Sequence, residues 1–469
     1  MSVLTNSPLT PITDRSQLIG HFQSGEKEKA KWRIGCEHEK FVYRLSDLSP
    51  VHYDGPHGIR RLLLAMRKFG WQELFENNNI IGLTKGQATI SLEPGGQVEL
   101  SGAPLQHLHE VAAEIHQHLL EVCDIGSTID MGFLGIGFHP TATREDLSWV
   151  PKERYRIMRD YMSKRGTMGI DMMLRTASVQ VNLDFLDETD MINKYRTSLA
   201  LQPIATALFA ASPFTESHRN GYNSFRMNVW AHTDDERCAF PSFVFEDGFG
   251  YERYTDYALD VPMYFVYRDK RYIDCSGQSF RDFLRGKLPS LPGVLPTLND
   301  WDNHLTTLFP SVRLKKYLEL RGADSGSYEM LVALPSFWVG LLYDEISLHE
   351  ASQFVQSWTT DDILQLNSDV NQLGLNSKIR GISVSEIAQR MVSCSRDGLR
   401  RRSATQQNAV VDESSYLDVL SNFTTTKINR ADQIMAQQPI SSFNTQKLYD
   451  TCQLKPRQSS SETAIGETA

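Results

Sequence analysis

No cysteine in this chain has a partner at C-x-x-C spacing; the six are scattered at positions 36, 123, 238, 275, 394 and 452. In a chain of 469 residues that scatter excludes a disulfide scaffold or a zinc ribbon and reads as reduced thiols. No apolar run is long enough to span a bilayer, and the opening Met-Ser-Val-Leu-Thr-Asn-Ser-Pro lacks the charged and apolar regions of a signal peptide. The expected compartment is therefore the cytoplasm, with no membrane partner. No long Lys/Arg block offsets the net charge of −9, which argues against a nucleic-acid partner. A G-x-x-x-x-G-K-[ST] loop is missing, so the commonest ATPase folds are excluded and any nucleotide must be held by a sheet. H-E-x-x-H is missing as well, and His107, His109, His116 and His118 read as the solvated face of an amphipathic helix over 104–122. Gly-Phe-Leu-Gly-Ile-Gly at 132–137 has part of a dinucleotide fingerprint, but Phe138-His139-Pro140 stands where its helix should start, leaving a glycine-bearing strand. There is no internal repeat.

What the chain does have is acid in a pattern. With 41% hydrophobic and 22% charged residues it can bury a large core, in two or three domains or fewer. Residues 32–43, Trp-Arg-Ile-Gly-Cys-Glu-His-Glu-Lys-Phe-Val-Tyr, alternate as a β-strand that puts Glu37 and Glu39 on one face. At 88–101, Pro94-Gly95-Gly96 breaks one extended run from the next, so Glu93 and Glu99 flank a tight turn. Like-charge repulsion forbids such a convergence of carboxylates unless cations sit among them. Mg²⁺, a hard ion that keeps room for substrate phosphates, is the natural partner. These residues point to a phosphoryl-transfer site on a sheet.

The rest of the chain supplies neighbours for that site. Residues 57–70 read as an amphipathic helix ending at a glycine, and 80–83 with 88–93 as a hairpin. Lys85 at the hairpin tip reads first as a solvated turn residue and second as a phosphate contact. The segment after Pro151 is a basic amphipathic helix carrying Arg154, Arg156 and Arg159. Residues 174–185 alternate strictly, with Ser178, Gln180, Asn182 and Asp184 on one face; Gln180 and Asn182 are taken as site-lining. Residues 190–211 predict an apolar helix kinked at Pro203. Strands are expected at 225–230, bearing Arg226, and at 261–268, bearing Tyr264. A third, at 313–324, places Arg313, Lys315, Tyr317, Glu319 and Arg321 on one face, where acid and arginine together can hold metal and polyphosphate. After Pro335 the pattern turns helical. The first ~20 residues read as an arm and those from ~455 as disordered.

Gly35-Cys-Glu-His-Glu-Lys-Phe41, Ser91-Leu-Glu-Pro-Gly-Gly-Gln-Val-Glu-Leu-Ser-Gly-Ala-Pro104, Met172-Met-Leu-Arg-Thr176 and Leu318-Glu-Leu-Arg-Gly-Ala-Asp324 closely resemble the plant-type glutamate–cysteine ligases, over about Ile12 to Arg402. The resemblance implies ATP- and Mg²⁺-dependent formation of γ-glutamylcysteine from L-glutamate and L-cysteine, the first step of glutathione synthesis. A ligase for another amine acceptor, or a non-catalytic regulator on the same scaffold, is the alternative. It implies an α+β fold: a strongly curved antiparallel sheet forming a funnel wrapped by helices, as in glutamine synthetase-like ligases, with a helical C-terminal part. One catalytic domain is expected over 21–454, mostly helical over 335–454, after an arm at 1–20 and before a disordered tail at 455–469. The chain is expected to work as a monomer or homodimer. By motif, Glu37, Glu39, Glu93, Glu99 and Glu319 resemble the Mg²⁺ ligands. Arg154, Arg226 and Tyr264 resemble amino-acid-binding positions, with Gln180 and Asn182 beside them. Arg175, Arg226 and Arg321 are the candidate catalytic groups, and Lys85 and Arg321 the candidate contacts to ATP. The plant proteins carry a regulatory disulfide; Cys275 stands at one of its positions and Ser290 at the other. The absence of a plastid transit extension points to a cytosolic, bacterial-type member.

Overall fold

The computed structural model describes residues 10–405, 412–438 and 443–457. Its centre is the predicted acidic strand, β1 (Ile34–Arg44). The other strands of its sheet are β2 (Gln72–Glu76), β3 (Asn79–Lys85), β4 (Ala88–Leu92), β5 (Val98–Ser101), β6 (Met131–Leu134), β7 (Ser178–Leu183), β8 (Val312–Leu314) and β9 (Leu318–Asp324). They pair antiparallel in the order β8-β9-β7-β1-β5-β4-β3-β2, and β6 adds to β1 beside this path. The expected funnel is not observed. Among the described residues the sheet is open, ending at β2 and β8, which do not pair with each other, while β1 pairs with β7 at Ile34–His38 and with β6 at Phe41–Arg44. The α+β class and the helical C-terminal part stand.

Alternation sorts the two faces. Val179, Val181 and Leu183 of β7 and Cys36 of β1 are buried in the main apolar core. That core is completed by α1 (Leu108–Thr128) and by the apolar helix α6 (Tyr328–Leu342), which packs on α1 and β7. The polar positions, Glu37, Glu39, Ser178, Gln180 and Asn182, face the other way into a cavity roofed by α2 (Glu153–Met162), α3 (Gly169–Arg175) and α5 (Phe225–Ala231). Between α3 and α5, α4 (Glu188–Phe209) runs as one continuous helix with Pro203 inside it.

Two expected strands have different forms. Residues 225–231 are helical, capped by the Ser224 hydroxyl accepting from Met227 N–H. Residues 312–324 are a hairpin with Arg313 directly opposite Glu319, so a cross-strand ion pair replaces the single five-residue row. The turn joining β4 to β5 needs its glycines: Gly96 lies at φ +86°, and a Cβ on Gly95 would meet the Leu174 carbonyl at 2.4 Å. The solvated histidine face is corrected at His118, which is fully buried edge-on to His38, with ring centroids 5.5 Å apart. The expected arm is in part anchored: Ser16–Gln23 form a helix, while residues 1–9 lie outside the described residues. Beyond 457 the expected disordered tail also lies outside them.

Candidate active site

Sheet register brings the acids together. Glu39 lies directly opposite Glu99 across β1 and β5, and Glu37 opposite Gln180 across β1 and β7. Like charges at directly opposite positions destabilise a sheet, and the consequence is legible at Glu39. Burial pushes its carboxyl up to about 8, with Glu99 and then Glu93 adding repulsion, against the Arg226 guanidinium and the Ser178 N–H. Its neighbours are anchored separately: the Ser91 hydroxyl donates to Glu99 at 2.7 Å and the Asn182 amide to Glu37 at 2.8 Å. Glu93 sits in the turn, where its N–H donates to the Gln97 carbonyl and its own carbonyl accepts from Gly96 N–H.

Glu37, Glu39, Glu93, Glu99 and Glu319 all line one cavity of about 510 Å³, together with Arg154, Gln180, Asn182, Arg226 and Arg321. Glu319 differs from the other four acids. Completely buried, it takes two bonds from Arg313 at 2.7 and 2.8 Å and one from Arg321 at 2.7 Å, with Lys315 at 3.3 Å. Burial alone would raise its carboxyl, but Arg313, Lys315 and Arg321 outweigh it and hold the group well below the usual range. The β-bulge between Leu320 and Ala323 follows at once, where a Cβ on Gly322 would meet Gln202 at 2.2 Å. A bulge there ends the regular pairing beside Arg321.

Helix spacing explains the basic roof. Arg154 and Met158 are four residues apart on the buried face of α2 and both line the cavity, whereas Arg156 and Arg159 pair with Glu153 and Asp160 at the surface. On α5, Arg226 and Trp230 share a face in the same way. Arg226 donates to the Arg321 carbonyl at 3.0 Å, and its buried Nε has no hydrogen-bond partner among the described residues, like that of Arg154. Buried donors left unpaired cost free energy, and here they line a cavity shaped to admit an acceptor.

Three expected site residues are elsewhere. Lys85 stays at its hairpin tip, paired with Glu121 at 3.1 Å and lying over Trp71. Tyr264 is buried under Arg237, 3.9 Å from its ring centroid, with Tyr161 edge-on. Arg175 is committed to Asp171 at 2.8 Å, to Glu216 at 2.7 Å and to the Ala142 carbonyl, so it braces α3 and does not reach the cavity. In each case the nearest counter-charge or ring takes the side chain first. Sequence reasoning left Lys27, Arg33, Met172, Met173, Trp230 and Phe309 out of the site, although all line it. The basic pair and the methionines carried no periodic signal, and Trp230, which shares a face with Arg226 in a strand and in a helix alike, could have been found from that spacing.

Among the described residues no three His, Cys, Asp or Glu side chains are grouped closely enough to form a metal site by themselves. Mg²⁺ does not require one, since it is held by one or two carboxylates plus substrate phosphates. Glu37, Glu39, Glu93 and Glu99 fit that demand. Glu319, already surrounded by three cations, does not.

The family model described as Glutamate-cysteine ligase family 2 (GCS2) matches residues 33–451. Glutamate–cysteine ligase B, chloroplastic, of Oryza sativa subsp. japonica is 54% identical over 393 residues, 84% of this chain and 78% of its own length. The chloroplastic glutamate–cysteine ligase of Arabidopsis thaliana is 50% identical over 435 residues, 92% of this chain and 81% of its own. Among solved structures, the glutamate–cysteine ligase of Francisella tularensis in complex with AMP is similar in fold. Its TM-score is 0.56 at 13% identity, covering 90% of this chain and 87% of that one. These relatives by sequence are chloroplastic by name, which overturns the expected cytoplasmic address.

Proposed function

The chain belongs to glutamate–cysteine ligase family 2, and from that premise we propose that it joins L-glutamate to L-cysteine at the expense of ATP. The product is γ-glutamylcysteine, and the reaction is the first step of glutathione biosynthesis. The observation that carries the reading is one cavity in which Glu37, Glu39, Glu93 and Glu99 meet Arg154, Arg226 and Arg321.

The chemistry asks for that combination. A carboxylate is a poor acyl donor because oxide is a poor leaving group, and phosphorylation of the γ-carboxylate by ATP provides a better one. Family membership implies Mg²⁺, which Glu37, Glu39, Glu93 and Glu99 would hold and which would neutralise phosphate charge. Arg226 and Arg321 stabilise the negative charge that develops on the transferred group. Arg313 and Lys315, set by Glu319, extend that positive field along the cavity. Arg154 receives a carboxylate of an amino-acid substrate, Arg226 contacts the same substrate as well as the transferred group, and Gln180 and Asn182 are neutral partners beside them. The cysteine amine then attacks the acyl phosphate, the C–N bond forms, and phosphate leaves. Positioning supplies ~7 kcal/mol or more of the barrier reduction, consistent with a site that needs no nucleophile of its own. The substrates are small molecules, with no nucleic acid or membrane involved.

The test is coupled ADP release with glutamate and cysteine, each omitted in turn, with the product identified by mass. ADP release that depends on both amino acids, with γ-glutamylcysteine as product, is expected. Release without either one, or with another amine preferred to cysteine, rejects the reading.

A further inference from the structure

A second cavity, of about 420 Å³, backs onto the first. The two share four lining residues, Arg226, Trp230, Phe309 and Arg321. At its outer end the second cavity reaches solvent past the exposed residues Leu364, Ser368, Gln372 and Asp235. The wall between them is thin: the Trp230 and Phe309 rings meet at 5.7 Å, and the guanidiniums of Arg226 and Arg321 lie about 6 Å from Trp230 and Phe309 respectively. Two buried donors on this wall, Arg226 Nε and Trp230 Nε1, have no hydrogen-bond partner among the described residues. Unpaired buried donors beside two guanidiniums are the features of an oxyanion site awaiting its occupant.

The linings differ in charge. The first cavity is crowded with charge of both signs, six carboxylates and seven cationic side chains. The second is lined by neutral hydrogen-bonding groups such as Asn228, Asn367 and Asn371, with Asp235 at its mouth. An anion held by the shared Arg226 and Arg321 therefore has, on this side, a single lining carboxylate, Asp235, between it and solvent among the described residues.

We propose that this cleft is the way out for orthophosphate, held at its inner end by Arg226, Arg321 and the Trp230 N–H. The inference rests on the ligase reading above. Cleavage of the acyl phosphate frees phosphate beside the very arginines that stabilised its transfer. It does so while ADP and the new dipeptide still occupy the first cavity. A lateral opening lets the smallest product go first.

Ser368→Trp and Leu364→Trp narrow the outer cleft at exposed helix positions away from the first cavity. Full-length protein is followed through its first turnovers by chemical quench for γ-glutamylcysteine and by a fluorescent phosphate-binding reporter for free phosphate. In the unsubstituted protein phosphate keeps step with dipeptide. In both variants dipeptide forms at the unaltered rate while free phosphate lags by about tenfold, with the melting temperature unchanged. Phosphate keeping step in both variants overturns the proposal. So does a slowed first turnover without a lag, which would make the cleft an entrance or a structural element. Failure of the unsubstituted protein to form dipeptide would reject the ligase reading itself, a separate result.

Discussion

Replacing Glu39 with glutamine should stabilise the metal-free protein while removing its activity. In the folded chain burial and the repulsion of Glu99 and Glu93 lift the Glu39 carboxyl from the usual 4.5 to about 8. A raised carboxyl binds a proton more tightly folded than unfolded, so its contribution is fully present below pH 4.5 and is lost as pH rises towards 8. At about 1.4 kcal/mol per unit, the cost of keeping this group folded is negligible at pH 4, roughly 3 kcal/mol at pH 7 and approaches roughly 5 kcal/mol at pH 9. Glu39 keeps some water contact through the cavity, so about half of these values is the expected measurement. Glutamine carries no charge and still accepts from the Ser178 N–H, the bond made at 2.5 Å by glutamate. Melting temperatures in a chelator at pH 5, 7 and 9 should show Glu39→Gln gaining on the unsubstituted protein as pH rises. Added Mg²⁺ and ATP should narrow the gap by neutralising the glutamate. A gap that does not change with pH, or a variant less stable at every pH, would refute the claim that burial, with the repulsion of Glu99 and Glu93 added, makes the ionised Glu39 costly in this site.

Glu37→Gln or Glu99→Gln should each abolish ligation with the fold retained, and near-normal turnover in both would remove the metal assignment. For Arg226→Ala the KM for amino acid should rise more than that for ATP; equal effects on both would reject a substrate contact. Tyr264→Phe should leave both KM values unchanged, because the hydroxyl has no partner among the described residues and the ring sits beneath Arg237 away from the cavity. Lys85→Ala should likewise keep turnover and cost about 0–1 kcal/mol in stability, the usual worth of a partly exposed ion pair. A raised KM for ATP would return Lys85 to the site.

The period of the sequence was enough to place the acids. Alternation along 34–44 puts Glu37 and Glu39 on one face whatever the sheet around them, and the Pro94-Gly95-Gly96 break sets Glu93 and Glu99 on either side of a turn. Arg226 was expected on a strand and lies on a helix, and residues 226 and 230 share a face in either form, because residues four apart do so in a helix and residues an even number apart do so in a strand. That coincidence is also why a short segment such as Phe225-Arg-Met-Asn-Val-Trp did not declare its period.

Pairing is different, because it depends on residues far away in the chain. Nothing local says that Glu39 faces Glu99, that Arg313 folds back onto Glu319, or that β1 pairs with both β6 and β7. Nor could local pattern show that Lys85, Tyr264 and Arg175 would be claimed by Glu121, Arg237 and Asp171. A side chain's chemistry is written in its identity, but its partner is settled by packing, where the nearest opposite charge or ring competes with the site. The sequence alone determined which groups could do phosphoryl transfer and acyl activation; the tertiary structure decided which of them share one cavity.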